Sequence, residues 1–288
     1  MKLIVGTANF QRRYGIRKNK IQNIHEIKKI IKYSVKNKID SFDLAYSYIS
    51  DPKILNELSK TKLNLIFKIN IKDLKFSKNF KLVYENLKNY LKKTKYSVQT
   101  LLFHDIKDFK IKKNRDTIIK LLYCLKKDKL VKKIGISVYK PNDLEYFLKF
   151  MTPDVVQIPM NPLNTEFYDD GLLYRLRKKR VKIHVRSIFL QGLLLDYNKK
   201  SLPKNFKKEV QHIIKWNHFC KNKNISSLEG CLQFIRNFKE IDALVLGIDS
   251  LQHLKDIKYL LSKNKIQIKF LKKIKKNSLL LDPRKWKR

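Results

Sequence analysis

The sequence predicts an α/β fold, a single (β/α)8 TIM barrel. Three observations carry that expectation: eight short apolar segments of strand length, a helical pattern after each, and a length that one such barrel fills without remainder. The chain has 288 residues, 43% of them hydrophobic, including 16 Phe and 14 Tyr. That is too apolar for disorder and sufficient for a large core.

Taken in order, residues 2–8 make the first strand, opening on Gly6-Thr7, and a basic loop with Phe10, Arg12, Arg13 and Tyr14 follows. Ile24, Ile27, Ile30 and Ile31 recur at helical spacing, so residues 23–35 form a helix. Residues 41–48 carry the second strand, and Asp51-Pro52 starts a short helix, proline suiting a first turn. Residues 64–69 make the third strand, and 77–93 a helix that buries Leu82, Tyr84, Leu87, Tyr90 and Leu91. Residues 100–105 and 132–138 are the next strands, separated by a helix over 115–127. Pro141 starts another helix, residues 155–160 form the sixth strand, and a helix over 171–178 precedes the seventh, 181–187. A loop holding Gly192 and Pro203 leads to helices over 206–221 and 226–237, the eighth strand at 243–247 and its helix at 250–262. No composition break divides the chain, so 1–288 is expected to be one barrel domain ending in a basic C-terminal helix and tail from about 264.

The formal charge is +41. A basic protein attracts polyanions whatever its fold. Here the lysines are scattered along every segment, and Ile, Asn, Phe and Tyr, which share A/T-rich codons with Lys, are abundant too. Drift in a low-GC coding sequence accounts for the charge, and scattered charge is usually a solvated face. No specific nucleic acid or membrane partner is expected, since no segment is long enough to span a bilayer. The apolar start Met1-Lys-Leu-Ile-Val is too short for a signal peptide. Cys124, Cys220 and Cys231 show neither disulfide nor zinc spacing. The expectation is a soluble, cytoplasmic protein without a metal; nothing in the sequence specifies an oligomeric state.

Four polar residues interrupt three consecutive strand-like segments: Asp43 and Tyr48 in the second, Lys68 in the third, His104 at the end of the fourth. Each alone has an ordinary explanation: a packed histidine, a snorkelling lysine, a capping carboxylate, a core tyrosine. Together, at strand ends that face a barrel's active side, they form a constellation. A phenol near its reference pKa of about 10 is a poor acid at neutral pH. A neighbouring ammonium stabilises the phenolate, and the ammonium needs a carboxylate to remain charged when buried. A histidine beside them can orient a carbonyl oxygen. This is a proton donor aimed at an oxygen that develops negative charge, without a nucleophile or metal ligands, and it suits carbonyl reduction by a hydride donor.

These residues resemble the aldo-keto reductase family. Gly6-Thr-Ala8 resembles its first-strand motif, and Asp43-x-Ala45-x-x-Tyr48 matches its signature, with Lys68 and His104 on the expected strands. Gly135-Ile-Ser137 and Gln157-Ile-Pro-Met-Asn161 resemble the strands whose serine and glutamine hold the nicotinamide amide. The resemblance implies Asp43, Tyr48, Lys68 and His104 as the catalytic set. It also implies NADPH, or NADH, held by Thr7, Asp43, Ser137, Gln157, Arg186, Ser187, Gly247, Asp249 and His253. Arg186 stands where the family often stacks a tyrosine on the nicotinamide, and a guanidinium can lie flat on an aromatic ring as well. His253 stands where an arginine often grips the 2′-phosphate, and Asp249 is unfavourable near a phosphate. A modest NADPH preference that weakens as pH rises through the histidine's range is therefore expected. Phe10, Arg12, Arg13, Tyr14, Tyr46, Tyr139, Met160 and Phe189 are expected to rim the mouth, suiting a small carbonyl substrate with an anionic or sugar-derived group. Two other classes share such a sequence: a cofactor-binding regulatory protein on a reductase barrel with little turnover, and a basic polyanion-binding protein.

Overall fold

The computed structural model describes residues 1–10, 21–45, 52–72, 80–93, 98–195, 209–269 and 278–286. Its strands are Lys2–Gly6 (β1), Ser41–Ala45 (β2), Asn64–Ile69 (β3), Val98–Phe103 (β4), Lys133–Ser137 (β5), Val155–Pro159 (β6), Lys182–Arg186 (β7) and Ala243–Gly247 (β8). Each pairs in parallel with the next, and β8 pairs with β1, so the sheet closes into the predicted eight-stranded barrel.

Helices cover the barrel's outer face. They are Ile24–Lys36 (α1), Pro52–Ser59 (α2), Phe80–Lys93 (α3), Ile106–Lys110 (α4), Lys112–Lys127 (α5), Pro141–Leu148 (α6), Glu166–Asp169 (α7), Leu172–Lys178 (α8), Val210–Asn222 (α9), Ser227–Arg236 (α10) and Leu251–Ser262 (α11). Their starts are readable in the chain. Asn23 caps α1 by accepting from Glu26 N–H at 2.8 Å, and Ser226 and Ser250 cap α10 and α11 at 3.1 and 3.0 Å. Each such cap contributes about 1 kcal/mol.

Alternation along the strands divides the core in two. Val5, Phe42, Leu65, Phe67, Leu101, Ile134, Ile136, Val156, Ile158, Val185 and Leu246 pack against the helices. Ile4, Ile66, Leu102, Val155, Ala243 and Val245 form a separate plug inside the barrel. A side chain so buried contributes about 1.5–3 kcal/mol. Gly135 is required within this plug: a Cβ there would lie 1.8 Å from Val155 O.

Several details differ from the sequence reading. In α3 Val83, not Leu82, joins Leu87 and Leu91 in the core; Leu82 is 50% exposed. Val83 lies four residues before Leu87 and so shares its face. The chain turns helical directly after β4, at α4, because Asp105 caps it by accepting from Lys107 N–H at 3.0 Å. Phe10 and Met160 are fully buried and belong to the layer between strands and helices, so they do not rim the mouth. Met160 lies one residue past the inward-facing Pro159 and therefore points outward. Arg12, Arg13, Tyr14, Tyr46 and Tyr48 lie outside the described residues. At the C-terminus, residues 264–269 are irregular and 270–277 lie outside the described residues. Leu279–Leu281 and Pro283–Lys285 then form two short 3-10 turns, anchored by buried Leu280, Leu281 and Trp286.

Candidate active site

The strand period of two decides which side chains enter the barrel. Counting from the interior plug, Asp43 on β2, Lys68 on β3, Ser137 on β5, Gln157 on β6 and Arg186 on β7 occupy inward positions at or near the strands' C-terminal ends. His104 follows directly after β4, its backbone N–H donating to Ile69 O at 2.8 Å. Below them lies the largely apolar plug, interrupted by His184 on β7 and Thr100 on β4, so the charged groups concentrate at one mouth.

Asp43 and Lys68 are 3% and 4% exposed and form a direct ion pair. Neither charge tolerates such burial alone. The remaining Asp43 oxygen accepts from Gln157 Nε2 at 2.8 Å, and Lys68 Nζ approaches Gln157 Oε1 at 3.5 Å. Ser137 Oγ extends the chain to Gln157 Oε1 at 3.4 Å. Thr7 braces the Asp43 backbone, its Oγ1 and N–H donating to the Asp43 carbonyl at 3.0 and 3.1 Å.

His104 sits beside this network. Burial, then the positive charges of Lys68, Arg186 and Arg284, push its pKa down to about 3, so the imidazole is neutral near pH 7. Arg186 turns from β7 toward β5. It donates through Nε to Ser137 Oγ at 3.4 Å, through Nη1 to Ser187 Oγ at 3.2 Å and through Nη2 to Val138 O at 3.0 Å. Its guanidinium carbon lies 3.9 Å from the Tyr139 ring centroid. Ser187 takes a left-handed backbone conformation, φ 59°, which is uncommon for a residue with a side chain.

On the neighbouring β8 side of the mouth, the turn from β8 into α11 is braced by Asn9. Its Nδ2 donates to Ile248 O at 2.6 Å and to Asp249 Oδ1 at 2.7 Å. His253 accepts at Nδ1 from Asp249 N–H at 3.3 Å, and burial lowers its pKa despite Asp249 and Asp256 nearby. It is therefore uncharged at neutral pH, which moves the expected pH dependence of cofactor choice to acidic pH.

The sequence matches the Aldo/keto reductase family over residues 2–278. The chain belongs to that family. Its members are NAD(P)H-dependent oxidoreductases that act on carbonyl groups, which accords with the polar mouth just described. Among solved structures, a holo-form aldo-keto reductase from Bacillus halodurans is similar at TM-score 0.70 and 15% identity, over 92% of this chain and 88% of that one. A glycerol dehydrogenase from Gluconobacter oxydans is similar at TM-score 0.64 and 15% identity, over 94% and 95%. No curated protein sequence matches the chain.

The residues of this aldo-keto reductase fit a dinucleotide. Among the described residues, Gly247 leaves open space, with no atom within 4 Å of where a Cβ would stand. Near it, Asn9 Oδ1, Gln22 Oε1 and His253 Nε2 are buried without a hydrogen-bond partner among the described residues. Such orphaned atoms at the start of α11 are groups a ligand can satisfy. Among the described residues no cluster of metal-ligating side chains occurs, and no helix is long and apolar enough to cross a membrane.

Two neighbours of the site escaped the sequence reading. His184, one inward layer below Arg186, has a buried Nδ1 without a partner among the described residues, and burial pushes its pKa down to about 4. Its signal was available, since it precedes Arg186 by the strand period of two. Arg284 arrives from the C-terminal turns and lies 3.5 Å from the Tyr139 centroid; no local pattern announces that contact.

Proposed function

We propose that this aldo-keto reductase reduces a small aldehyde or ketone to an alcohol, with NADPH as the preferred cofactor and Tyr48 as the acid. The observation that carries the reading is the buried Asp43–Lys68 ion pair beside a neutral His104 at the barrel mouth. Reduced nicotinamide, when bound, supplies the hydride. In this reading Ser137 and Gln157 would hold its carboxamide, and Thr7, Arg186, Ser187 and the turn from Gly247 through Asp249 to His253 would hold the rest of the cofactor.

The protein's part is proton management. Asp43 keeps Lys68 charged, and that ammonium stabilises the phenolate left when Tyr48 gives up its proton. His104 has no ionisable proton to lend near pH 7, so it acts as a neutral hydrogen-bond partner that orients the carbonyl oxygen. The acid role then falls to the tyrosine that the sequence places five residues beyond Asp43.

Tyr48→Phe tests this. The variant should lose carbonyl reduction by at least about a hundredfold, the scale of general-acid catalysis, while binding NADPH with nearly unchanged affinity by fluorescence titration. Wild-type turnover in that variant would remove Tyr48 from the chemistry. Cofactor binding by the wild type with no turnover across aldehydes, ketones and keto-sugars would favour a cofactor-binding regulatory protein instead.

A further inference from the structure

The cations around His104 are not equally matched. Lys68 pairs with Asp43. Arg284 is held in a two-pronged bond by Asp282, Nε to Oδ1 at 2.8 Å and Nη2 to Oδ2 at 2.7 Å, and Asp282 is only 8% exposed. Arg186 is different. Its three acceptors are a serine hydroxyl, a second serine hydroxyl and a backbone carbonyl, and among the described residues it makes no ion pair. Asp105, which follows His104, caps the N-terminus of α4, where it accepts from Lys107 N–H. A half-buried guanidinium served only by neutral acceptors lacks the partner that offsets its desolvation.

Arg186 is also held flat. Its guanidinium carbon and that of Arg284 lie 3.9 and 3.5 Å from the same Tyr139 centroid. Two groups that close to one ring cannot share a face without overlapping, so Tyr139 is clamped between them. Arg284 is neutralised by Asp282 and backs the ring from the far side. Clamping removes side-chain freedom in advance, so binding at Arg186 loses less entropy. The direction of reach matters as well. Arg186 leaves β7 toward β5, Ser137, Val138 and Tyr139, on the side of the mouth where nicotinamide and carbonyl would meet, whereas the orphaned polar atoms near Gly247 lie at the start of α11, on the β8 side.

We propose that Arg186, stacked on Tyr139 and backed by Arg284, binds a carboxylate or phosphate group carried by the carbonyl substrate itself. The proposal rests on the reductase reading and narrows it. The preferred substrates are small anionic aldehydes or ketones, whose carbonyl lies at His104 while the anion reaches Arg186. Cofactor phosphate is the other source of the same chemistry, and the experiment separates the two.

The test compares succinic semialdehyde with its methyl ester, which differ in charge but hardly in reach, using the full chain and NADPH. Wild-type kcat/KM should favour the acid. Arg186→Gln should lower the acid-to-ester ratio ten- to a hundredfold, the range of one charge-assisted contact. Arg284→Gln, which loosens the clamp but leaves Arg186 in place, should lower it by a smaller factor. An unchanged ratio in Arg186→Gln overturns the proposal. So does a loss of NADPH affinity, by fluorescence titration, with the ratio intact, since the anion would then be the cofactor's. If neither aldehyde is reduced, the reductase reading is what fails, and calorimetry with succinate still decides the site. Binding lost in Arg186→Gln supports it, and equal binding in both proteins overturns it.

Discussion

Separating Asp43 from Lys68 should destabilise this barrel more than most single substitutions. Both residues are at most 4% exposed, and their side chains form a direct ion pair. Removing one partner leaves a buried charge, at a cost of about 3–5 kcal/mol. At roughly 2.1 cal/mol/K per residue, unfolding a chain of 288 residues carries an entropy near 0.6 kcal/mol/K. Lys68→Met and Asp43→Asn should then each lower Tm by about 5–8 °C in thermal unfolding followed by circular dichroism. The double variant contains no stranded charge, and an asparagine at 43 can still accept from Gln157 Nε2. Its loss should fall short of the sum of the singles by at least about 2 kcal/mol. Activity should be absent in all three, so stability and chemistry report separately. Single shifts under about 2 °C that add in the double variant would refute the idea that the pair is buried and mutually dependent.

Other outcomes follow from the same contacts. His104 and His184 have pKa values depressed to about 3 and 4 from 6.5, so the unfolded chain takes up protons first. Their contribution to stability should be complete above about pH 6.5 and decline toward pH 4, as denaturant midpoints will show; His184→Leu should flatten that slope. Because His253 is already uncharged at neutral pH, the preference for NADPH over NADH should be modest and flat between pH 7 and 9 in calorimetric titrations. His253→Arg should raise NADPH affinity roughly tenfold and hardly alter NADH. Gly135→Ala should be recovered unfolded or strongly destabilised, because its Cβ would strike Val155 O, whereas Gly247→Ala should keep the wild-type Tm.

The barrel was legible because its signals are local. Strand segments buried on both faces read as short apolar runs, and the polar residues that break those runs do so at strand ends, where Asp43, Lys68 and His104 meet in space. Ser137, Gln157 and Arg186 were legible through motif likeness, and the period of two explains why they share one interior. Three kinds of information were not local. The choice between Leu82 and Val83 depends on which face of α3 meets the barrel. The immediate helical turn of α4 depends on a cap at Asp105, whose residue type is ambiguous between cap and site. The contact of Arg284 with Tyr139 joins chain segments far apart in sequence, and the C-terminal piece reads simply as basic. The functional roles of the site residues, Tyr48 included, rest on the tests above.

Closure of the barrel also has a consequence for synthesis. β1 leaves the ribosome long before β8, with which it pairs, so its outer edge waits for residues 243–247. Throughout that interval the nascent sheet has two open edges, and apolar parallel strands with open edges recruit other chains. Parallel pairing over such a separation is also slow. A chain that carries +41 repels its neighbours during this wait. Whatever its origin, the scattered charge bears on the growing chain as well as on the folded barrel, because it opposes contact between half-built sheets.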